Sequence, residues 1–279
     1  MAGKLYVVAT PIGNLGDLSP RAQQTLAQAD FIAAEDTRVG AKLLNAFGIK
    51  KPQVSYFEHN RRAKGEQIAR RIEAGESCAL ITDAGTPAIS DPGCDLVEIC
   101  AGRGIEVVAV PGPCAAIAAL SIGGMPCGRW CFEGFLSVNK KSRRQHLEEI
   151  REEKRTMVFY EAPHKLLRTL EDFYETLGDR PIVLARELTK IHEEAWRATL
   201  SQALERYRQT PPRGEFVLVL AGAPDQGEKE TEQDPMELTA ELLEQGLSLS
   251  EAAKQAARQL NLPKNSVYRQ ALERFSEEK

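Results

Sequence analysis

The sequence predicts an α/β fold made of two α/β domains followed by a small C-terminal helical module. Three observations predict it. Short, continuous apolar runs alternate with helical patterns over residues 4–121, which is typical of a mainly parallel sheet covered on both faces. A Gly-Gly-Met-Pro break at 123–126 precedes a second mixture of strands and helices. A strongly acidic segment at 224–234 then leads to a region with helical periodicity only.

In the first domain, residues 1–123, strands and helices are expected to alternate regularly. Ser19 is placed to cap the first helix, with Pro20 at its first position. The predicted strands span residues 5–9, 31–34, 54–57, 78–82 and 106–110, and the predicted helices span residues 20–29, 37–47, 61–74, 92–103 and 113–122.

The second domain, residues 124–223, is predicted to contain a sheet with mixed strand directions. Its predicted strands span residues 130–132, 157–160, 182–186, 193–199 and 216–221, and its predicted helices span residues 141–153 and 163–176.

The remaining chain is divided into an acidic linker, 224–234, and a helical module, 235–279. The module shows three helical patterns, at 235–246, 250–260 and 263–275, and Ser248 with Glu251 forms a capping-box pattern. This layout is similar to a helix-turn-helix. Docking to RNA and a purely structural role are equally compatible with it.

Composition excludes several classes of protein. The net charge of −4 opposes non-specific coating of nucleic acid, although the linker, with five carboxylates and one lysine, accounts for all of it. Neither the six cysteines nor the four histidines show the spacing of a metal site, so we expect no metal and free, mostly buried thiols. No apolar run approaches the ~18–20 residues that span a bilayer, and the amino terminus lacks the pattern of a secretory signal. A cytoplasmic location is the expectation.

Three loops rich in small residues are predicted to form a ligand site. They follow the first, fourth and fifth strands, at 9–14, 82–93 and 110–116, and the carboxyl edge of an open α/β sheet is where ligands bind. The chain has no P-loop motif and no dinucleotide-binding motif. Because these loops carry no Lys or Arg, they favour a ligand that is uncharged or cationic near its reactive atom, such as an adenosyl sulfonium.

Eight blocks of sequence carry a family resemblance. In order, they are LYVVATPIGNLGDLSPRA (5–22), AEDTR (34–38), ITDAGTPAISDPG (81–93), VPGPCAAIAAL (110–120), FEGFL (132–136), FYEAPHKL (159–166), ARELTK (185–190) and RGEFVLVL (213–220). They resemble the motifs of the small-subunit ribosomal RNA methyltransferases of the tetrapyrrole methylase superfamily. The resemblance covers about residues 4–221 and extends to the helical tail.

The resemblance implies 2'-O-methylation of a cytidine ribose in the decoding region of small-subunit (16S) ribosomal RNA. It implies that the methyl donor, S-adenosylmethionine, lies in a cleft between the two α/β domains, that the small ribosomal subunit is the partner and that the enzyme is a homodimer. The implied donor contacts are Pro11, Ile12, Gly13, Asp83, Gly85, Thr86, Ile89, Cys114, Ala115, Phe135, Glu161, Ala162, Pro163, Glu187 and Gly214. Cys114 stands where relatives often have Ser, so a weaker thiol contact is expected there.

Asp36 and Glu161 are the candidate catalytic residues, because a ribose hydroxyl needs a base nearby. Each has a structural alternative: Asp36 is also placed to cap a helix, and Glu161 to bind a backbone amide or the methionine amino group. The candidate RNA-binding residues are Arg38, Arg61, Arg62, Lys140, Lys141, Arg143 and Arg144, for which a solvated helix face is the alternative.

Two other functions remain open at this stage. Superfamily relatives methylate a tetrapyrrole carbon, although basic segments and an added helical module are not needed for such a substrate. The other is an RNA-binding assembly factor without enzymatic activity, which the intact ligand loops disfavour.

Overall fold

In the computed structural model, which describes residues 3–57, 61–224, 234–260, 262 and 264–275, five parallel strands form a first sheet. These strands are β1 (Lys4–Val8), β2 (Phe31–Ala34), β3 (Gln53–Ser55), β4 (Cys78–Ile81) and β5 (Glu106–Val110). Their order across the sheet is β3-β2-β4-β1-β5. Because all five run in the same direction, the loops that follow them meet at one edge, as the sequence predicts.

Both faces of the first sheet are buried. Leu5, Phe31 and Leu80 pack on one face, while Val8 and Ile32 pack on the other, which explains why the strands are continuously apolar. The helices that cover it are α1 (Pro20–Gln28), α2 (Thr37–Ala46), α3 (Arg61–Glu73) and α4 (Cys94–Gly102), while α5 (Ala115–Gly123) packs on the second sheet. The Ser19 hydroxyl accepts a hydrogen bond from the Ala22 amide and caps α1, which confirms the predicted start.

A second sheet has mixed strand directions, as predicted. Its strands are β6 (Trp130–Gly134), β7 (Thr156–Glu161), β8 (Pro181–Arg186), β9 (Glu194–Thr199) and β10 (Phe216–Leu220), in the order β6-β7-β10-β8-β9. Only the β6-β7 pair is parallel. One face is covered by α6 (Lys140–Glu149), α7 (Pro163–Leu177) and α8 (Leu200–Gln209). Helix α8 is absent from the sequence prediction.

Helix α5 connects the two sheets. Its residues Ala116, Ala119 and Leu120 pack against Val158 and Val183 on the face of the second sheet that α6–α8 leave open. The carboxyl edge of the first sheet therefore faces that surface, and the candidate site lies between them. Both sheets belong to one compact unit, Met1–Gly222, so a domain boundary at residue 123 stays a prediction.

The second compact unit, Ala223–Lys279, contains α9 (Pro235–Glu244), α10 (Leu249–Gln259) and α11 (Lys264–Phe275). Met236, Leu242, Ala253 and Val267 belong to its apolar core. The predicted capping box is present, with reciprocal bonds between Ser248 and Glu251. Most of the predicted acidic linker, 225–233, lies outside the described residues. None of the helices described here is both long and apolar enough to cross a lipid bilayer.

Candidate functional site

A cavity of about 460 Å³ lies where the carboxyl edge of the first sheet faces the second sheet. We call it the donor cavity, after the methyl donor that the sequence resemblance implies. Loops after β1, β2, β4 and β5 line one side, and the ends of β7, β8 and β10 line the other. The structure brings together twelve of the predicted contacts at this cavity: Ile12, Asp83, Gly85, Thr86, Ile89, Cys114, Ala115, Phe135, Glu161, Ala162, Pro163 and Glu187.

Hydrogen bonds hold the three loops rich in small residues against one another. Thr10 and Gly85 exchange two backbone hydrogen bonds, of 2.8 and 3.1 Å. The Thr86 hydroxyl donates to the Pro113 carbonyl at 2.9 Å. Gly85 has φ +86°, a left-handed conformation that favours glycine. The loops after β1, β4 and β5 thus form one fixed wall of the donor cavity.

Three carboxylates lie on this side of the donor cavity. Glu35, at the end of β2, accepts a hydrogen bond of 2.6 Å from the Thr82 hydroxyl. Asp83 accepts one of 3.1 Å from the Asp36 amide, and burial raises its pKa above the usual range. Burial also raises the pKa of Asp91. Among the described residues that line the donor cavity, Lys190 is the one cation.

The structure does not place Asp36 at the donor cavity. Its carboxylate caps α2 by accepting from the Arg38 amide at 2.8 Å, and it also binds the Arg38 guanidinium at 2.6 Å. The hydrogen bonds from Arg38 lower the pKa of Asp36 to about 2. A carboxylate with so low a pKa is a weak base, so the capping alternative describes Asp36 better than the catalytic one. Its neighbour Glu35 lines the cavity instead.

Aromatic side chains form the opposite part of the cavity. The Tyr160 ring lies edge-on to Phe132 and Phe135, with centroid distances of 5.1 and 5.5 Å. Its hydroxyl accepts from the Ala116 amide at 3.1 Å, and burial raises its pKa. Cys114 lies beside the same hydroxyl. The thiol that replaces the expected serine therefore has a neighbour that holds it at the cavity wall.

Glu161 lines the cavity but is anchored by a buried network. Its carboxylate accepts from the Ala162 amide at 2.8 Å and from the Thr169 hydroxyl at 2.5 Å. Thr169 in turn accepts from Arg143 at 2.8 Å, and Arg143 binds Asp172 at 2.5 Å. Arg143 is only 6% exposed, so the predicted phosphate contact does not fit its position. Its role is to hold Glu161 in place through Thr169.

Replacing Thr169 with Val should lower the free energy of unfolding by about 1–3 kcal/mol, because both charged partners lose a hydrogen bond in a buried position. Urea denaturation followed by circular dichroism measures this. Thr169→Ser keeps the hydroxyl and removes one methyl group, so it should be the milder variant. A larger loss for Ser than for Val would contradict the assigned network.

A second cavity, of about 350 Å³, adjoins the first; we call it the acceptor cavity, after the methyl acceptor that the sequence resemblance implies. It contains the predicted residues Pro11 and Gly13, together with α2 residues such as Lys42. Three chemically active groups line both cavities: Asp83, Lys190 and Glu215. The two cavities therefore adjoin, and charged groups line both of them along their shared wall.

Lys190 joins two carboxylates at this shared wall through ion pairs. Its ammonium binds Glu187 at 2.9 Å and Glu215 at 2.8 Å. Its stem also approaches Gly13 so closely that a Cβ there would lie 2.5 Å from the Lys190 Cγ. The bond from the Glu215 amide and the one from Lys190 lower the pKa of Glu187. The absence of a side chain at Gly13 therefore leaves room for Lys190, which follows β8 of the second sheet.

Gly214 lines neither cavity, but the absence of a side chain there leaves room for Glu187. It has φ +82°, and a Cβ at this position would lie 2.4 Å from the Glu187 Cγ. Gly214→Ala is therefore expected to displace Glu187 and to weaken binding of the methyl donor roughly tenfold, a loss of about 1.4 kcal/mol. Calorimetric titration with S-adenosylmethionine measures this.

Gly178→Ala is the matched control, because Gly178 has φ +80° and nothing within 4 Å of its missing Cβ. Alanine is strained there as well, by about 1–3 kcal/mol, but it meets no neighbouring atom. Equal donor affinities in the two variants would show that Gly214 supports the fold alone.

The predicted RNA-binding residues are not equally available. Lys140, Lys141 and Arg144 are exposed on α6, and Arg38 and Arg62 are exposed on α2 and α3. Arg61 is paired with Asp95 at 3.2 Å.

Twelve of the described residues that line the donor cavity were not predicted as contacts, and five of these carry an ionisable side chain. These five are Glu35, Asp91, Tyr160, Lys190 and Glu215. A signal existed for Tyr160, since it alternates along β7 with the buried Phe159.

Comparisons with known proteins agree with this geometry. Residues 4–204 match the family described as Tetrapyrrole (Corrin/Porphyrin) Methylases, and residues 229–274 match the RsmI C-terminal HTH domain. The latter match confirms the predicted helix-turn-helix layout.

Relatives named Ribosomal RNA small subunit methyltransferase I are similar over nearly the whole chain. The Synechocystis sp. protein is 47% identical, with 97% of this chain and 98% of the relative covered. The Pseudomonas aeruginosa protein is 46% identical, with 98% of each covered.

Solved structures share the fold at low identity. The methyltransferase CobJ gives a TM-score of 0.59 at 21% identity over 80% of this chain and 95% of that one. Uroporphyrin-III C-methyl transferase from Thermus thermophilus, complexed with S-adenyl homocysteine, gives 0.55 at 17% identity over 78% and 97%. The chain belongs to the tetrapyrrole methylases and, within them, to the family of ribosomal RNA small subunit methyltransferase I.

Proposed function

We propose that this protein transfers a methyl group from S-adenosylmethionine to the 2'-hydroxyl of a cytidine ribose in the decoding region of small-subunit ribosomal RNA. The observation that carries the proposal is the pair of adjoining cavities that share Asp83 in their common wall. A donor held in one cavity and a hydroxyl held in the other can meet where the cavities adjoin, and proximity of this kind is a main source of catalysis.

The donor cavity suits the methyl donor by its chemistry. Glu35, Asp83 and Asp91 provide negative charge, while Ile12 and Phe135 provide apolar surface. The positive charge of Lys190 is compensated by Glu187 and Glu215. When bound, S-adenosylmethionine supplies a methyl group on a sulfonium, which is itself a good leaving group. The protein's part is therefore to bind, orient and accept a proton.

Asp83 is the group we assign to accept the proton of the ribose hydroxyl. It is the carboxylate of a short side chain that reaches both cavities, and its raised pKa makes it a stronger base than an ordinary aspartate. Glu161 is assigned to donor positioning, because its carboxylate is already bound by Thr169 and the Ala162 amide.

The RNA-binding surface and the oligomeric state are further parts of the proposal. The exposed cations Arg38, Arg62, Lys140, Lys141 and Arg144 supply charge for RNA phosphates. The proposal includes the small ribosomal subunit as partner, a homodimeric enzyme and a cytoplasmic location.

The test incubates the purified protein with donor labelled in its methyl group. Separate reactions contain small ribosomal subunits from cells that lack the modification, naked small-subunit RNA, and a tetrapyrrole precursor. We expect label in RNA, recovered after nuclease digestion as 2'-O-methylcytidine. Label on a base or in the tetrapyrrole would replace the proposal, and label in no acceptor would exclude methyl transfer to all three.

A further inference from the structure

A third cavity, of about 270 Å³, lies at the end of the second sheet and is separate in its lining from the two described above. We call it the arginine cavity. It is lined by Arg186, Arg206, Tyr207, Thr210, Pro211 and Arg213. Three guanidinium groups around one small cavity are unusual, since like charges repel unless an anion lies among them.

One carboxylate partly compensates these charges. Glu194 binds Arg186 at 3.2 Å and Arg206 at 2.7 Å, one with each of its oxygens. Arg213 is exposed, and within the described part of the chain it forms no hydrogen bond or ion pair. Each guanidinium carries five N–H donors, so most donors around this cavity are unused by Glu194. The cavity therefore has an excess of positive charge and of hydrogen-bond donors.

Aromatic contacts fix the position of this charge. The Arg206 guanidinium lies over the Trp196 ring at 4.4 Å and also near Tyr207 at 5.5 Å. Tyr207 is buried and packs edge-on against Phe216. An arginine held in this way loses little side-chain entropy when it binds an anion. The arrangement is preorganised for a planar or tetrahedral oxyanion such as phosphate.

The arginine cavity lies at the same end of the second sheet as the donor cavity, but on the opposite face. Along β8, Ala185 lines the donor cavity and Arg186 lines the arginine cavity, because successive side chains point to opposite faces. Arg213 is two residues from Glu215, whose amide donates to Glu187 at 2.9 Å. An anion bound among the arginines would thus lie at the end of the second sheet that also lines the donor cavity, on the other face of that sheet.

We propose that the arginine cavity binds a phosphodiester of the RNA substrate and so helps to set the position of the target nucleotide. This rests on the proposed function for the identity of the RNA. The chemistry itself requires only a phosphate group, which a free nucleotide also carries, so the experiment must separate the two sources.

The test measures binding of naked small-subunit RNA without methyl donor, at several salt concentrations. Arg213→Glu should weaken binding at least tenfold. Arg213→Gln should reduce the slope of log K against log salt concentration by about 0.7–0.9, the change expected for one lost phosphate contact. Affinity for S-adenosylmethionine should stay unchanged, because Arg213 does not line the donor cavity.

Arg129 provides the matched control. It is exposed, it forms no hydrogen bond or ion pair within the described residues, and it precedes β6 at the opposite edge of the sheet. Arg129→Glu and Arg129→Gln make the same charge changes there. Equal effects at residues 129 and 213, or no RNA binding at all, would overturn the proposal.

A further arm titrates cytidine monophosphate. If its binding depends on Arg213 while RNA binding does not, the site is one for free nucleotides and the proposal is wrong. If the Arg213 variants bind RNA as the wild type does and the wild type methylates RNA, only this inference is wrong. If RNA affinity depends on Arg213 but the wild type methylates no RNA, only the proposed function is wrong.

Discussion

Replacing Asp83 with Asn is expected to lower kcat for methyl transfer to small-subunit RNA by about 10²–10⁴-fold, the usual contribution of a general base. Asparagine keeps the size of the side chain and an oxygen that accepts the Asp36 amide, which now lies 3.1 Å from the carboxylate. It cannot take a proton. Donor affinity should therefore change much less than kcat, and the two are measured separately by single-turnover kinetics and calorimetry.

The pH dependence should have a definite sign. Burial raises the pKa of Asp83, and only the ionised carboxylate accepts a proton. Methyl transfer by the wild type should therefore fall as pH decreases through this raised pKa and be constant above it. The Asp83→Asn variant should lack this acid limb, because its amide does not titrate.

Asp36→Asn is the matched control for this experiment. Asparagine caps helices about as well as aspartate does, so α2 should keep its start. Because Arg38 holds the pKa of Asp36 at about 2, Asp36 does not titrate in the range where activity is measured. We expect kcat within about threefold of the wild type. Equal losses at positions 36 and 83 would mean that Asp83 acts through charge alone.

Much of the fold is predictable because its elements have local signals. The strands of the first sheet are apolar on both faces, and capping residues such as Ser19 and Ser248 begin their helices as predicted. Helix α8 is the main omission. It also had a local signal: Thr199 and Gln202 form a capping box at its start.

The candidate site is predictable where it depends on strand direction. It is not predictable where it depends on contacts between residues far apart in the sequence. Parallel strands bring Ile12, Asp83 and Cys114 to one edge, so their loops could be grouped from sequence. The burial of Arg143 depends on Asp172, which is 29 residues away. Its position four residues before the buried Leu147 was the only local indication that it faces inwards.

Lys190 shows why residues that join two parts of a fold escape local patterns. It follows a turn in which Glu187 and Thr189 have positive φ, of +51° and +67°. Neither residue type favours that conformation, which costs about 1–2 kcal/mol per residue. The turn is held by bonds from Lys190 to Glu187 and Glu215, and these exist only in the folded chain. Strain of this kind, stored beside a cavity, is typical of functional sites.

Replacing Gly85 with Val should weaken donor binding by about 10–100-fold. A β-branched residue at φ +86° is strained by about 1–3 kcal/mol, and its Cβ would lie 3.3 Å from the Ile12 side chain. The loop relieves this strain by leaving the conformation that pairs with Thr10. We expect the donor to bind only the paired conformation, so its apparent affinity should fall in proportion to the fraction of molecules that retain it.

Gly104→Val separates this effect from general destabilisation. Gly104 has φ +70°, is exposed, has nothing within 4 Å of its missing Cβ and lies outside the donor cavity. Both variants should lower the melting temperature by a similar amount, while only Gly85→Val should raise the Kd for S-adenosylmethionine. If the two variants bind the donor equally well, the paired loops after β1 and β4 do not form its site, and the donor must be sought elsewhere in the fold.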